Sequence, residues 1–148
     1  MALRRLEDVV GRRFGDVRDP LLVSVRSGAK FSMPGMMETV LNVGLNDYSV
    51  VGLAEATSDG RFAWDSYRRL VQMFGKTVLD IPGHHFEEIL DKAKSDAGVA
   101  SDVDIPVPVL KQIVAGYKEQ DLGMRPYATL VKATKTLATR ARDGATAP

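Results

Sequence analysis

One segment of the chain combines the residue types that bind phosphate. A β-prone run, LLVSV at Leu21–Val25, leads directly into a stretch with glycines, cations and hydroxyls. The residues in it that could contact an anion are Arg26, Ser27, Gly28, Lys30, Ser32, Gly35 and Thr39. Glycine lets backbone N–H groups approach an anion, and arginine can form two parallel hydrogen bonds to phosphate oxygens. The pattern favours phosphate or nucleotide binding, and a surface turn whose arginine pairs with a carboxylate is the open alternative.

Another triplet has the letters of a phosphate-binding loop but not its context. Gly75-Lys76-Thr77 matches the end of a Walker A motif, which requires a further glycine five residues before Gly75. Leu70 occupies that position, and the triplet lies inside the longest amphipathic pattern of the chain. We therefore expect this triplet to be part of a helix without a phosphate.

The two histidines are adjacent, at His84 and His85. Neighbouring side chains on a helix point in different directions, so such a pair rarely binds one metal ion. Carboxylates at Glu87 and Glu88 follow, as is typical of the first turn of a helix. The sequence predicts a helix start here; a metal site or a phosphate-carrying histidine is the weaker reading.

Composition limits the classes of protein to which the chain can belong. The 148 residues are 45% apolar and 26% charged, with a net charge of +1 and no cysteine. These values are typical of one soluble globular domain and differ from the basic excess of nucleic-acid-binding modules. Disulfide scaffolds and thiolate metal sites are excluded. No apolar run is long enough to cross a membrane, so the expected location is the cytoplasm.

Hydrophobic spacing predicts a mainly helical α+β chain. The first helix uses Leu3, Leu6, Val10 and Phe14 and ends near Gly15, and the strand Leu21–Val25 follows. Further helices are predicted at Tyr48–Thr57, Arg61–Leu79, His85–Ala97 and Val107–Gln120. The pattern divides the chain into an α+β part at 1–47, a helical subdomain at 48–120 and a basic tail at 121–148. The tail is expected to be partly disordered; a solvated helix and a basic helix on an anionic surface are both open readings.

Two stretches closely resemble the nucleotide-binding domain of pyruvate, phosphate dikinases. They are VSVRSGAKFSMPGMMETVLNVGLND at Val23–Asp47 and the segment Arg61–Leu79, which begins RFAWDSYRRLVQMFG. The resemblance extends more loosely to about residue 120 and implies a partial ATP-grasp-type fold from the N-terminal domain. It implies that Arg26 contacts the ATP phosphates and that Gly28 to Thr39 form the loop over them. Glu38 stands where the family often has aspartate, which preserves the charge.

The resemblance also implies a reaction and its partners. Family members convert ATP, phosphate and pyruvate into AMP, pyrophosphate and phosphoenolpyruvate, with Mg²⁺ and a phosphohistidine carrier domain. The Mg²⁺ ligands, the adenine pocket and the carrier histidine match no segment here, so the remaining domains are expected in cis or on a separate chain. A truncated remnant, or a helical interaction module without turnover, is the alternative. An unpaired edge along Leu21–Val25 would promote self-association.

Overall fold

Helices make up most of the chain that the structure describes. The structure is a computed structural model and describes residues 2–25, 40–77 and 81–119. Within these ranges the α-helices are α1 (Ala2–Val10), α2 (Ser49–Thr57), α3 (Gly60–Thr77), α4 (Gly83–Ala97) and α5 (Val107–Glu119). A short 3₁₀ helix covers Asp102–Asp104. The strands are β1 (Arg13–Phe14), β2 (Pro20–Leu21), β3 (Val23–Val25) and β4 (Val40–Val43). The α+β, predominantly helical class predicted from the sequence is confirmed.

The first helix is shorter than the sequence pattern indicates. It ends at Val10 because Gly11 adopts a left-handed conformation, with φ of 74°, and its N–H bonds the carbonyl of Glu7 at 2.8 Å. Glycine at this position commonly terminates a helix. The chain then forms a strand that carries Phe14 into the core. The prediction that the helix continues to Gly15 is wrong, since the apolar spacing crosses the helix end unchanged.

The predicted strand at Leu21–Val25 is divided between two small sheets. Strand β2 pairs in parallel with β1, and β3 pairs in antiparallel fashion with β4. Each is a two-stranded sheet among the described residues, so each strand is paired along one edge. The expected self-association through a wholly unpaired edge stays a prediction.

The four later helices lie where the sequence predicts them, with the inward face displaced at two positions. The apolar spacing predicts that Phe62 on α3 and Val51 on α2 face inward, and this is wrong, since both are about half exposed. Tyr67 and Leu70, which the same spacing places on the inward face of α3, are fully buried, as is Ala63. Residues 78–80, including the predicted inward Val78, lie outside the described residues.

The core is shared between the helices and the strand pair β3–β4. Its buried apolar side chains are Phe14, Val40, Val43, Leu45, Val50, Leu53, Ala63, Tyr67, Leu70, Val71, Phe86, Ile105, Leu110, Ile113, Val114 and Tyr117. We call residues 2–25 and 40–47 the strand region, and 49–77 and 81–119 the helical region. In the described part of the chain, no helix is both long and apolar enough to span a bilayer.

Candidate functional site

The predicted phosphate-binding segment is framed by the antiparallel pair β3–β4. Val25 is paired with Val40, so the segment 26–39 leaves and re-enters the hairpin at adjacent points. The predicted site residues are Arg26, Ser27, Gly28, Lys30, Ser32, Gly35 and Thr39, and all of them lie outside the described residues. The structure therefore provides the geometry of the hairpin base and leaves the assignment of these side chains as a prediction.

The hairpin base contains a β-bulge. Val23 pairs with Val43 and Val25 pairs with Val40, so two residues of β4, Leu41 and Asn42, lie opposite one residue of β3. Asn42 has a φ of 62°, and its Nδ2 donates to the carbonyl oxygen of Ser66 in α3 at 3.3 Å. The bulge thus links the hairpin directly to the helical region.

A second polar joint connects β4 to α2. The Asn46 side-chain oxygen accepts hydrogen bonds from the N–H groups of Tyr48 and Ser49 at 2.8 and 2.9 Å. The Ser49 hydroxyl accepts from the Asn46 N–H and donates to the Gly44 carbonyl. These bonds satisfy the N–H groups at the start of α2, which a helix cannot pair internally. They fix the angle between the hairpin and α2.

Asp47, between β4 and α2, contacts both α3 and α5. Its Oδ1 accepts a hydrogen bond from the Tyr67 hydroxyl of α3 at 2.9 Å and one from Nζ of Lys118 in α5 at 2.8 Å. The ammonium of Lys118 compensates the charge of the Asp47 carboxylate, and the Tyr67 hydroxyl adds a further hydrogen bond. We therefore interpret Asp47 as a structural residue. Asp47 therefore extends the support of the hairpin to the far helix.

A partly buried ionic cluster lies within the helical region. Nε and Nη2 of Arg68 donate to Oδ1 of Asp65 at 2.9 and 2.8 Å, and Nζ of Lys94 donates to Oδ1 of Asp102 at 2.9 Å. Burial opposes the charge of Arg68, but the bonds to Asp65 outweigh it and raise the pKa of the guanidinium. The bond from Lys94 lowers the pKa of Asp102. Burial also raises the pKa of the nearby Tyr117 hydroxyl.

The cluster holds charges that neutralise one another. Its arginine is almost inaccessible, with a side chain 4% exposed, and lies 4.0 Å from the second oxygen of Asp102. A guanidinium held in this way cannot turn toward a ligand without giving up its two hydrogen bonds to Asp65, which would leave that carboxylate with only the exposed Arg69. Sequence analysis did not select these residues, because Asp65 and Arg68 have the spacing of an ordinary exposed helix pair, and the burial of Arg68 is not visible in that spacing. Their role is to hold α3, α4 and the 3₁₀ helix together.

The sequence motifs judged to be structural lie in helices. Gly75-Lys76-Thr77 forms the last turn of α3, and a Cβ at Gly75 would lie 2.5 Å from Cζ of Phe86. That glycine is required by helix packing. His84 and His85 lie in the first turn of α4, as predicted. Within the described ranges no group of three histidine or carboxylate side chains could hold a metal ion.

Comparison with known proteins identifies the family. No family model matches the chain. It is 51% identical over 117 residues to pyruvate, phosphate dikinase of Clostridium symbiosum, covering 79% of this chain and 13% of that protein. It is 53% identical over 116 residues to pyruvate, phosphate dikinase 2 of Zea mays, with the same 13% of the relative covered.

A third similarity is longer. The chain is 44% identical over 142 residues to pyruvate, phosphate dikinase of Rickettsia conorii, covering 92% of this chain and 16% of that protein. Because it covers 92% of the chain, this match extends past residue 120. The chain spans about an eighth of the length of the first two relatives. Similarity at this level over most of its residues shows that the chain belongs to the pyruvate, phosphate dikinase family.

Proposed function

We propose that the chain supplies the ATP-phosphate-binding hairpin of a pyruvate, phosphate dikinase. The reaction to which it would contribute converts ATP, phosphate and pyruvate into AMP, pyrophosphate and phosphoenolpyruvate. Membership of the family supports this activity for the whole enzyme. The residue types in 26–39 support the assignment of phosphate binding to this part of it.

The pairing of Val25 with Val40 is the observation that carries the proposal. It anchors both ends of the 26–39 segment on one hairpin, which in turn rests on the helical core. Arg26 directly follows the paired residue Val25, so its backbone starts from a fixed point. Phosphoryl transfer depends mainly on positioning and on stabilising charge, and both require an anchored loop.

The chemistry proposed for the segment follows from its side chains. Arg26 would form a bidentate contact with phosphate oxygens, and Lys30 would add a point charge. Backbone N–H groups at Gly28 and Gly35, with the hydroxyls of Ser27, Ser32 and Thr39, would supply neutral donors. Mg²⁺ would screen the remaining phosphate charge, with most of its ligands outside this chain.

The helical region is proposed to be a scaffold without direct chemistry. Charged groups of this region pair with one another, the buried Arg68 with Asp65 and the partly exposed Lys94 with Asp102. Rigid support of this kind is what a phosphate-binding loop needs to hold its donors in place. The partial ATP-grasp-type fold implied by the family resemblance is part of this proposal.

The chain corresponds to a small part of each relative's length, which indicates the partners that it would need. The chain spans 13% of the Clostridium symbiosum relative. The adenine pocket, the metal ligands and the phosphohistidine carrier would therefore lie on other dikinase domains, in cis or on a separate chain. Cytoplasmic localisation, and the absence of nucleic-acid and membrane partners, belong to the same proposal.

One observation favours a second function. Leu6, Val9 and Val10 of α1 are exposed, and Val9 reaches 85%. Exposed apolar side chains on one short helix are typical of a surface that another polypeptide covers. A helical interaction module without turnover, or a remnant of the enzyme, would present the same feature.

Titration of the chain with MgATP by calorimetry separates the two functions. We expect wild-type binding and a loss of at least about tenfold in affinity for Arg26→Ala, the size expected for charged hydrogen bonds. Arg18→Ala is the matched control, because it removes the same charge from an exposed position in the strand region. Circular dichroism establishes that each variant is folded. A folded wild-type chain that does not bind MgATP would overturn the proposal and favour the interaction module.

A further inference from the structure

Strand β4 buries two side chains that a regular strand would place on opposite faces. Val40 and Val43 are 6% and 8% exposed, and both belong to the core. Side chains alternate along a strand, so positions three apart face opposite ways. Leu41, between them, is 42% exposed. One extra residue must therefore be accommodated between Val40 and Val43.

The β-bulge at Asn42 accommodates this residue. Leu41 and Asn42 together oppose Ser24, which restores Val40 to the face that Val43 occupies. In this bulge the backbone has a positive φ of 62° at Asn42. Asparagine tolerates that conformation, whereas a β-branched residue disfavours it strongly.

The side chain of Asn42 also fixes the bulge to the helical region. Its amide donates to the carbonyl oxygen of Ser66 in α3 at 3.3 Å. Within a helix that carbonyl is directed along the helix axis, so the bond ties the bulged strand to a rigid element. Val43, on the other side, is followed by Gly44, where a Cβ would lie 2.8 Å from the Leu21 carbonyl. Asn42 is thus the point at which the strand changes direction between two anchored positions.

We propose that Asn42 is a positioning residue that sets the register of the hairpin carrying the 26–39 segment. Without the bulge, Val43 stays anchored and Val25 pairs with Leu41 in place of Val40. The segment would then begin one residue out of register, and the side chains of β4 beyond the slip would change faces. The effect of Asn42 on nucleotide binding rests on the function proposed above, whereas its effect on register does not.

Disulfide trapping tests the register directly, because the native chain contains no cysteine. In one chain Val25→Cys is combined with Val40→Cys, and in another with Leu41→Cys. Cysteines cross-link readily only when their Cα atoms lie within about 7 Å and their Cβ atoms face each other. We expect the first pair to cross-link in the otherwise native chain. Asn42→Val should transfer cross-linking to the second pair, while Asn42→Gly should leave it with the first. Cross-linking that stays with the first pair in Asn42→Val would overturn the proposal.

MgATP titration of the cysteine-free variants tests the consequence for the site. Asn42→Val should weaken binding about tenfold, the equivalent of one hydrogen bond, and Asn42→Gly should recover most of the loss. Ser58→Val is the matched control, since Ser58 has a similar φ of 53° at the end of α2 and is remote in sequence from the hairpin. Its affinity should equal that of the wild type.

The outcomes separate this inference from the proposed function. A register shift with unchanged MgATP affinity would overturn the positioning role and leave the phosphate-binding proposal intact. A wild-type chain that binds no MgATP would overturn the phosphate-binding proposal, and the cross-linking result would still decide whether Asn42 sets the register.

Discussion

The helical region and the strand region differ in how they bury apolar surface. Tyr67, Leu70 and Ile113 of the helical region are essentially inaccessible to solvent. In the strand region Leu6 and Val9 of α1 are exposed, and the sheets have two strands each. Two-stranded sheets are marginally stable without packing against another element. The comparison indicates that the hairpin takes its stability from the helices against which it packs.

Side-chain hydrogen bonds and apolar packing join the strand region to the helical region. Asn42 bonds the Ser66 carbonyl, and Asp47 bonds Tyr67 and Lys118. Val40 and Val43 of β4, with Phe14 and Leu45, supply buried apolar side chains to the contact. Loss of helical packing should therefore release the hairpin, whereas changes at the exposed Leu6 and Val9 of α1 should leave both regions folded.

The largest effect is expected from truncating the helical core. Leu70→Ala should lower the free energy of unfolding by about 2–5 kcal/mol, because it removes a fully buried side chain and leaves a cavity. Leu6→Ala, the same change at a residue 42% exposed, should cost less than about 1 kcal/mol. Urea denaturation of both variants measures the difference. If the two substitutions lowered the free energy of unfolding equally, the difference in packing between the two regions would be contradicted.

A smaller effect is expected at the ionic cluster. Arg68→Met should cost about 3 kcal/mol, because it leaves the carboxylate of Asp65 without its buried partner. Arg69→Met is a matched control, since Arg69 pairs with the same carboxylate from a side chain 57% exposed. Its cost should stay below about 1 kcal/mol. Thermal melts of the two variants at neutral pH provide the test, and a larger loss for Arg69→Met would contradict the assignment of Arg68 as the brace.

The next largest destabilisation is expected where α2 contacts the strand region. Gly52→Ala should cost about 1–3 kcal/mol, because a Cβ there would lie 2.0 Å from the Val17 carbonyl oxygen. Gly60→Ala should be neutral or stabilise the chain, since its nearest neighbour would be Val107 at 3.7 Å. Chemical denaturation compares the two glycines. Tolerance of Gly52→Ala would show that α2 and the 17–18 turn can separate freely.

The smallest effect concerns pH. Lys94 lowers the pKa of Asp102 from its usual value of 3.8, so the ionised form is favoured by folding. The stabilisation is complete above that value and disappears as pH falls through the lowered folded pKa. Asp102→Asn should therefore destabilise the chain by about 1 kcal/mol at pH 7, since the pair is partly exposed. The difference from wild type should shrink in melts below the usual value and vanish below the lowered folded pKa; a difference that persists there would exclude the ion pair as its source.

Sequence reasoning predicted the helices well because their apolar residues recur at helical spacing over many turns. It placed the end of α1 wrongly, since Phe14 continues the spacing after Gly11 has ended the helix. It also missed the role of Arg68, whose position three residues after Asp65 is typical of an exposed pair. Its burial depends on helices that are distant in sequence.

Some features of the candidate site can be predicted from residues that are neighbours in the sequence, whereas others depend on contacts with distant residues. The pattern of 26–39 shows which side chains could bind phosphate, and that assignment stays a prediction. The bulge at Asn42 is reflected in the sequence by Val40 and Val43, two valines three positions apart in one strand. That signal can be recognised only when both valines are known to be buried.

Hydrogen exchange with and without MgATP tests the central claim most directly. The claim is that the nucleotide acts on the hairpin and that the helices only support it. We expect MgATP to slow amide exchange in peptides spanning 23–43 and to leave those spanning α3 and α5 unchanged. Slowing confined to the helices, or no slowing in a folded chain, would contradict the claim.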